Sequence, residues 1–156
     1  MNCLAKLEAF LRENQVPFHV QHHPVAYTAQ QLAATEHISG KLVAKTVIAL
    51  AEGKMVMLVT PANRRVDFQK VADLLGVKEA HLAHESDFAA TFPDCDVGAM
   101  PPFGNMYGLP VYVDAALARD ESIVFPAGTH TDTIGMKFAD YERLVQPKIA
   151  DFSRGG

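Results

Sequence analysis

A lysine stands at the head of a segment that otherwise has the composition of a buried β-strand. Lys45 is followed by Thr46-Val47-Ile48-Ala49-Leu50, and such β-branched and aliphatic residues are typical of an enclosed, pleated surface. Burying an ammonium group is costly unless a partner compensates its charge. A lysine in this position therefore indicates a ligand-binding role more strongly than a structural one.

The segment from Asp96 to Pro110, with the sequence DVGAMPPFGNMYGLP, is the second unusual stretch. Its glycines and prolines exclude a regular helix or a central strand, so we predict a loop that proline partly fixes and glycine releases. Such a loop can bring backbone N–H groups close to a ligand, an arrangement that stabilises an oxyanion. The alternative is a plain connector in which Phe103 and Met106 act as anchors.

Two pairs of histidines raise the question of a metal site. His22 and His23 precede a proline, while His81 and His84 form a His-x-x-His pair on an expected helical turn. Metal sites need three or four converging donors with supporting hydrogen bonds. Because the sequence offers only pairs, surface histidines are the favoured interpretation, and we expect neither a metal nor another cofactor.

The composition favours one globular domain over residues 1–156. Hydrophobic residues make up 49% and charged residues 21% of the sequence, which suits a core without covalent reinforcement. Cys3 and Cys95 are too few for a disulfide framework, which favours a reducing, cytoplasmic setting, and neither has the basic neighbour that a thiol nucleophile needs. The formal net charge of -4 argues against indiscriminate nucleic-acid binding. We expect no signal peptide and no membrane span, because charged residues interrupt the apolar runs.

Hydrophobic spacing and turn residues predict a mixture of helices and strands. Helices are predicted after Asn2, in TAQQLAATEH from Thr28, between Asp67 and Gly76, in ESDFAATF, and in KFADYERLVQP as the last element. Strands are predicted in FHVQHH, in the hairpin KTVIAL and KMVMLVT with Gly53 at its turn, and in LPVYVD, ESIVFPAG and HTDTIGM. Because a regular βαβ alternation is missing, we expect an α/β (α+β) fold: a mixed, mainly antiparallel sheet or partial barrel flanked by helices.

Taken in order along the chain, these segments resemble the YbaK/EbsC family of aminoacyl-tRNA deacylases, a domain also inserted in bacterial prolyl-tRNA synthetases. The resemblance rests on AKTVIAL with its lysine, on GAMPPFG at residues 98–104, and on the flanking HHPVAYTAQQLA and PAGTHTDTIGM. It implies a compact α/β domain that hydrolyses the ester of a mischarged tRNA with help from the terminal ribose hydroxyl, so no Ser/His/Asp triad is expected. Where the family often has a bulky residue before the lysine, this chain has Ala44, a difference that bears on substrate identity.

The resemblance also implies which residues serve the reaction. Lys45 matches the lysine tied most closely to activity, and Gly98 matches a glycine of the loop that shapes the pocket. Lys45 can either hold the terminal phosphate or polarise the ester carbonyl, while Gly98 and Ala99 can offer backbone donors. His130, in a matching segment that borders the pocket, can order the water or contact the substrate amino group, unless it is a loop histidine without a role. The substrate-binding candidates are Thr46, Ala99, Met100, Pro101, Pro102, Phe103 and Gly104.

Four basic residues are candidates for tRNA contacts. Lys41, Arg64, Arg65 and Lys70 are predicted to form a positive rim for the acceptor stem, although charged residues beside turns are usually only solvated. The leading hypothesis is a free-standing, metal-independent trans-editing hydrolase for a tRNA carrying a small or proline-like amino acid, with tRNA-Pro as a candidate substrate and a synthetase as a further partner. The alternatives are a non-catalytic module that binds tRNA or a synthetase, and a small-molecule binder. Lys45 and Gly98 favour the enzyme.

Overall fold

Helices and strands follow one another without a regular alternation in this protein, whose computed structural model describes residues 2–35 and 39–155. The helices are α1 (Cys3–Glu13), α2 (Ala29–Thr35), α3 (Phe68–Leu75), α4 (Glu85–Phe88), α5 (Ala115–Ala118) and α6 (Phe138–Val145). The strands are β1 (His19–His22), β2 (Ala44–Ala51), β3 (Lys54–Pro61), β4 (Arg64–Val66), β5 (Ala80–Leu82), β6 (Val111–Asp114), β7 (Ser122–Thr129), β8 (Asp132–Lys137), β9 (Lys148–Ala150) and β10 (Ser153–Gly155). Within the described ranges, every helix is too short or too polar to cross a membrane.

The strands form open sheets. The largest has the order β5-β2-β3-β6-β9, in which β6 pairs in parallel with β3 and β9 while the other pairs are antiparallel. A second sheet, β1-β8-β7, and a third, β10-β4, are antiparallel throughout. This arrangement confirms the prediction of a mixed, mainly antiparallel architecture flanked by helices.

Local signals in the sequence account for several confirmed elements. Helix α1 begins after Asn2, whose side-chain oxygen accepts a hydrogen bond from a first-turn N–H at 2.8 Å. Helix α3 begins after Asp67, which accepts from two backbone N–H groups, and ends at Gly76 with a φ of 68°. The β2–β3 hairpin turns through Glu52 and Gly53, both with positive φ, as a tight two-residue turn requires.

Two further predicted helices are also present. Helix α2 follows Thr28, whose hydroxyl accepts a hydrogen bond from the N–H of Gln31 at 3.0 Å. The prediction extended this helix to His37, and residues 36–38 lie outside the described part of the chain. The segment ESDFAATF forms α4 followed by a 3₁₀ turn at Ala89–Thr91.

Two predictions of secondary structure are wrong. Helix α6 is not the last element, because β9 and β10 follow it and pair with β6 and β4. Each of these strands has 3 residues, too few for an alternating hydrophobic pattern to appear in the sequence. His81 lies in strand β5 rather than in a helical turn, because this segment pairs with β2, and His84 is the N-cap of α4.

Apolar clusters cover both faces of the β2–β3 hairpin. On one face lies the main core, in which Leu11 of α1, Phe103 and Tyr141 of α6 are completely buried. On the other face Val71 of α3 packs with Phe152, which lies between β9 and β10. Burial on both sides explains why β2 and β3 read as nearly continuous apolar runs.

The start of α1 is fastened to the segment that leads into the glycine-rich loop. Cys3 and Cys95 form a disulfide, whereas two cysteines in the sequence predict no disulfide framework. The Cys3 N–H also donates to the backbone carbonyl of Asp94 at 3.1 Å. Tertiary packing therefore brings together two cysteines that are far apart in the sequence, and neither sulfur is a free thiol.

Candidate active site

A small cavity lies beside the first residues of β2. Its volume is about 40 Å³, enough for a few water-sized groups. Predicted site residues that line it are Lys45, Thr46, Gly98, Ala99 and His130. The other lining residues are His23, Ala26, Tyr27, Thr28, Leu32, Pro126 and Thr129. Larger and more open depressions of about 440 Å³ and 400 Å³ lie elsewhere and contain none of the predicted site residues.

Lys45 brings a positive charge to this cavity. Its Nζ donates a hydrogen bond to the backbone carbonyl of Arg64 at 3.0 Å, and no carboxylate of the described residues pairs with it. Burial lowers the pKa of Lys45, and the positive charge of Arg65 lowers it further. Because an ammonium group has three N–H donors, the Arg64 carbonyl occupies one and leaves two for a ligand.

Gly98 adopts a backbone conformation that suits glycine. Its φ is +84°, and a β-carbon at this position would lie 3.6 Å from Cε1 of His130. The N–H of Ala99 donates to the carbonyl of Asp96 at 3.0 Å, which closes a turn around Gly98. Of the two predicted backbone donors, Ala99 is therefore already engaged, and Gly98 is the one without a partner in the described part of the chain.

His130 lies in the turn between β7 and β8, where its ring packs against Tyr27. The ring centroids are 4.8 Å apart, and the carbonyl of His130 accepts a hydrogen bond from the N–H of Ala26 at 2.9 Å. The hydroxyl of Thr129 holds the turn by donating to a carboxylate oxygen of Asp132 at 2.6 Å. The Tyr27 ring thus contacts the imidazole, while the two hydrogen bonds hold the turn that carries it.

Thr46 contributes a further polar group. Its hydroxyl oxygen is buried and has no hydrogen-bond partner within the described ranges. A buried hydroxyl without a partner costs free energy that a correctly placed ligand can recover. With Lys45, Gly98 and His130, the cavity therefore combines a cation, a backbone N–H, an imidazole and a hydroxyl. This set can polarise a carbonyl group and order a water molecule.

The second half of the predicted loop motif lies in the core. Residues 100–104 are all buried and none of them lines the cavity. The ring of Phe103 meets that of Tyr141 edge to face at 5.3 Å, and the Tyr141 hydroxyl donates to the carbonyl of Pro102 at 2.6 Å. Substrate contact by Met100, Pro101, Pro102, Phe103 and Gly104 stays a prediction, and their observed contacts are those of a support for Gly98.

The segment before α2 forms part of the cavity wall, and most of its lining residues are not predicted from the sequence. Tyr27 is the most informative of these residues, because it is 68% exposed and yet lies against His130. An aromatic residue between the predicted strand FHVQHH and the predicted helix from Thr28 was the available signal in the sequence. His23, interpreted as a surface histidine, also lines the cavity. The described residues include no group of three histidine, cysteine, aspartate or glutamate side chains that could hold a metal ion.

Two of the four predicted tRNA-binding residues are held by the strand pair β4–β10. The Nε atom of Arg64 donates to the hydroxyl of Ser153 at 2.6 Å. The Nζ atom of Lys70 donates to the carbonyl of Ser153 at 3.1 Å and lies 3.4 Å from a carboxylate oxygen of Asp151. These contacts give Arg64 and Lys70 structural roles in addition to any role in binding.

The other two predicted tRNA-binding residues differ in their surroundings. Lys41 lies 4.0 Å from a carboxylate oxygen of Asp120. Arg65 is exposed and forms no ion pair with any described residue. Its charge acts on Lys45. Among the four, Arg65 is therefore the cation most available to a phosphate near the cavity.

Comparison with known proteins confirms the resemblance. The family model for the aminoacyl-tRNA editing domain matches residues 23–144, a span that contains every lining residue of the cavity. The multifunctional Ser/Thr-tRNA deacylase ProXp-y of Escherichia coli (strain K12) is 26% identical over 154 residues, covering 96% of this chain and 92% of that protein. The protein YwhH of Bacillus subtilis (strain 168) is 30% identical over 144 residues, covering 91% of this chain and 83% of that protein.

Solved structures show the same fold. A crystal structure of a proposed trans-editing enzyme for prolyl tRNA synthetase superposes with a TM-score of 0.85 and covers 99% of both chains at 18% identity. The fold agrees over the full length of that protein, and the family model covers the whole cavity. This chain belongs to the aminoacyl-tRNA editing domain family.

Proposed function

We propose that this editing domain acts in trans and hydrolyses the ester bond of a tRNA mischarged with a small amino acid. The observation that carries the proposal is Lys45, a half-buried cation held at a small cavity by a carbonyl group instead of a carboxylate. Such a cation is available to an electron-rich substrate group. Cytoplasmic location and association with a synthetase remain predictions.

The reaction needs a water molecule, a polarised carbonyl and a leaving group. Water adds to the ester carbonyl carbon, and the carbonyl oxygen becomes an oxyanion. The bond from that carbon to the ribose oxygen then breaks as this oxygen takes the proton that the water releases, which leaves a free amino acid and a ribose hydroxyl. In this proposal, Lys45 and the N–H of Gly98 donate to the oxyanion and His130 orders the water. Both cysteine sulfurs are in the disulfide, which agrees with attack by water and not by a thiolate.

The cavity supports a small amino acid as the substrate. A volume of about 40 Å³ accepts few heavy atoms, so the cavity can act as the second sieve that admits what a synthetase fails to reject. The hydroxyl of Thr46 favours substrates that can form a hydrogen bond with it. Serine and threonine are therefore the first candidates, in line with the name of the E. coli relative, and tRNA-Pro is a candidate carrier.

A deacylation panel tests the proposal. Purified protein is incubated with tRNAs charged with alanine, serine, cysteine, threonine or proline, in the presence of a chelator, and the remaining ester is measured over time. We expect hydrolysis of at least one small aminoacyl ester without added metal. If no ester is hydrolysed while the charged or uncharged tRNA still binds, the chain is the non-catalytic module instead.

The variant Thr46→Val tests the role of the hydroxyl, because valine preserves the shape of threonine. We expect it to lower kcat/KM for the seryl ester by about tenfold, the equivalent of one hydrogen bond of about 1.4 kcal/mol, and to change the alanyl ester much less. Equal effects on both esters would assign Thr46 a packing role only.

A further inference from the structure

Two arginines face each other on the short ribbon formed by β4 and β10. In the antiparallel register Arg65 is directly opposite Arg154, and Val66 is opposite Ser153. Ser153 is completely buried, whereas Arg65 and Arg154 are exposed. The alternation of side chains along a strand therefore places both guanidinium groups on the outward face of the ribbon.

This pair is unfavourable for the protein alone. Residues directly opposite on antiparallel strands have their Cα atoms about 5 Å apart, and like charges in such a pair are destabilising. Neither Arg65 nor Arg154 forms an ion pair with any carboxylate in the described part of the chain. Phosphates bound by the two guanidinium groups, one at each, would relieve the repulsion, and the planar donors of arginine suit phosphate oxygens.

The ribbon is joined to the cavity through its neighbouring residues. The carbonyl of Arg64, adjacent to Arg65, accepts the hydrogen bond from Lys45. The charge of Arg65 also acts on Lys45. Arg65, with Arg154 directly opposite it, therefore follows the residue whose carbonyl contacts Lys45.

Several hydrogen bonds hold the backbone of β10 on the buried side of the ribbon. A single carboxylate oxygen of Asp114 accepts hydrogen bonds from the N–H groups of Phe152 and Ser153, each at 3.0 Å. The Ser153 hydroxyl accepts from Arg64, and its carbonyl accepts from Lys70. Arg154 thus projects from a backbone that is fixed before a ligand binds, which reduces the entropic cost of binding.

We propose that Arg65 and Arg154 together bind phosphates of the single-stranded 3′ end of tRNA and guide its terminal ester to Lys45. The proposal rests on the deacylase function for the identity of the ligand. It narrows the predicted rim of Lys41, Arg64, Arg65 and Lys70 to one of those four residues and adds Arg154.

Binding of an oligoribonucleotide that has the tRNA 3′ sequence but carries no amino acid tests Arg65 and Arg154 without any catalysis. Affinity is measured against salt concentration for the wild type, Arg65→Gln, Arg154→Gln and the double variant. Each single-strand phosphate contact contributes about 0.7 to the slope of log affinity against log salt, so we expect the double variant to lose about 1.4 from that slope. An unchanged slope in the folded double variant would overturn the proposal.

The matched control is Lys54→Gln. Lys54 is exposed on β3 and pairs with Ala51 at the far end of β2, about 20 Å from Lys45 by the rise of a strand. The Lys54→Gln variant removes one positive charge from the sheet that contains Lys45, at a distance from the cavity. Equal losses in Lys54→Gln and Arg154→Gln would show a general charge effect and would overturn the proposed site.

A substrate without phosphates separates this proposal from the deacylase function. At a pH low enough for Lys45 to remain an ammonium group in both proteins, the double variant should hydrolyse an aminoacyl ester of adenosine at the wild-type rate. On aminoacyl-tRNA it should lose about tenfold or more in kcat/KM. A similar loss on both esters would overturn guidance by phosphate binding. If the wild type hydrolyses neither ester, the deacylase function fails, while the oligonucleotide measurement still decides whether the arginines bind RNA.

Discussion

The two halves of the glycine- and proline-rich loop, residues 98–99 and 100–104, lie in different surroundings. Gly98 and Ala99 line the cavity, whereas residues 100–104 are buried away from it. A recognisable motif can thus include residues of two kinds: those that meet a ligand and those that hold them in place. The practical difference is that substitutions in the first half should change turnover, and substitutions in the second half should change stability.

The largest expected effect belongs to the buried half. Phe103→Ala removes a ring that contacts Phe10, Phe125 and Tyr141 in the core, so we expect the free energy of unfolding to fall by about 3–5 kcal/mol. Chemical denaturation measures this loss. Phe103→Leu, which retains most of the volume, is the control and should recover most of the stability with normal turnover per folded molecule. A folded Phe103→Leu protein with severely reduced turnover would place Phe103 at the substrate.

The next largest effect is expected at Lys45 of strand β2, which lines the cavity together with Gly98 and Ala99. Lys45→Ala removes a donor to the developing oxyanion, so we expect kcat to fall by about 10² or more with the fold retained. Lys45→Met keeps most of the packing and should be equally inactive. The distant Lys54→Gln variant should turn over normally. If Lys45→Met is active and Lys45→Ala is unfolded, the lysine is structural.

A smaller effect is expected at Gly98 itself. A β-carbon there would point toward His130 and narrow the cavity, while the φ of +84° makes any other residue strained. We expect Gly98→Ala to lose about tenfold in kcat, more than its loss of about 1 kcal/mol in stability explains. Thermal midpoint and deacylation rate are measured on the same preparation. A lower thermal midpoint with normal turnover per folded molecule would mean that Gly98, like residues 100–104, serves stability and not turnover.

The smallest effect concerns pH. Because burial and Arg65 lower the pKa of Lys45, its ammonium form is lost at a lower pH than that of an ordinary lysine. The rate on a phosphate-free ester should fall as pH rises through this pKa, after subtraction of spontaneous hydrolysis. The contribution of Lys45 to the free energy of unfolding should increase over the same range, since the unfolded chain holds that proton to higher pH.

The variant Arg65→Gln sharpens this test, because it removes one of the two causes of the lowered pKa. The alkaline fall in rate should move to higher pH. A fall that stays at the same pH would belong to a different group.

The sequence predicted those parts of the molecule that local signals determine. The hairpin, helix α3 and helix α1 have caps or turns within a few residues of their ends, and Lys45 and Gly98 stand out by residue type. The division of the loop could not be read from the sequence, because the burial of Phe103 depends on α1, β7 and α6 meeting around it. Arg154 was missed because the pairing of β10 with β4 joins distant parts of the chain.

The carboxylate of Asp114 shows how a mutational map of this protein can mislead. Asp114 is 2% exposed, and it also caps α5 through its second oxygen, which accepts from the N–H of Ala116 at 3.0 Å. Its loss would release the backbone that carries Arg154, so a survey scored by RNA affinity alone would count Asp114 among the RNA contacts. A carboxylate repels phosphate, so the negative charge of Asp114 identifies it as a residue that supports the backbone of β10 and not as part of the RNA-binding surface.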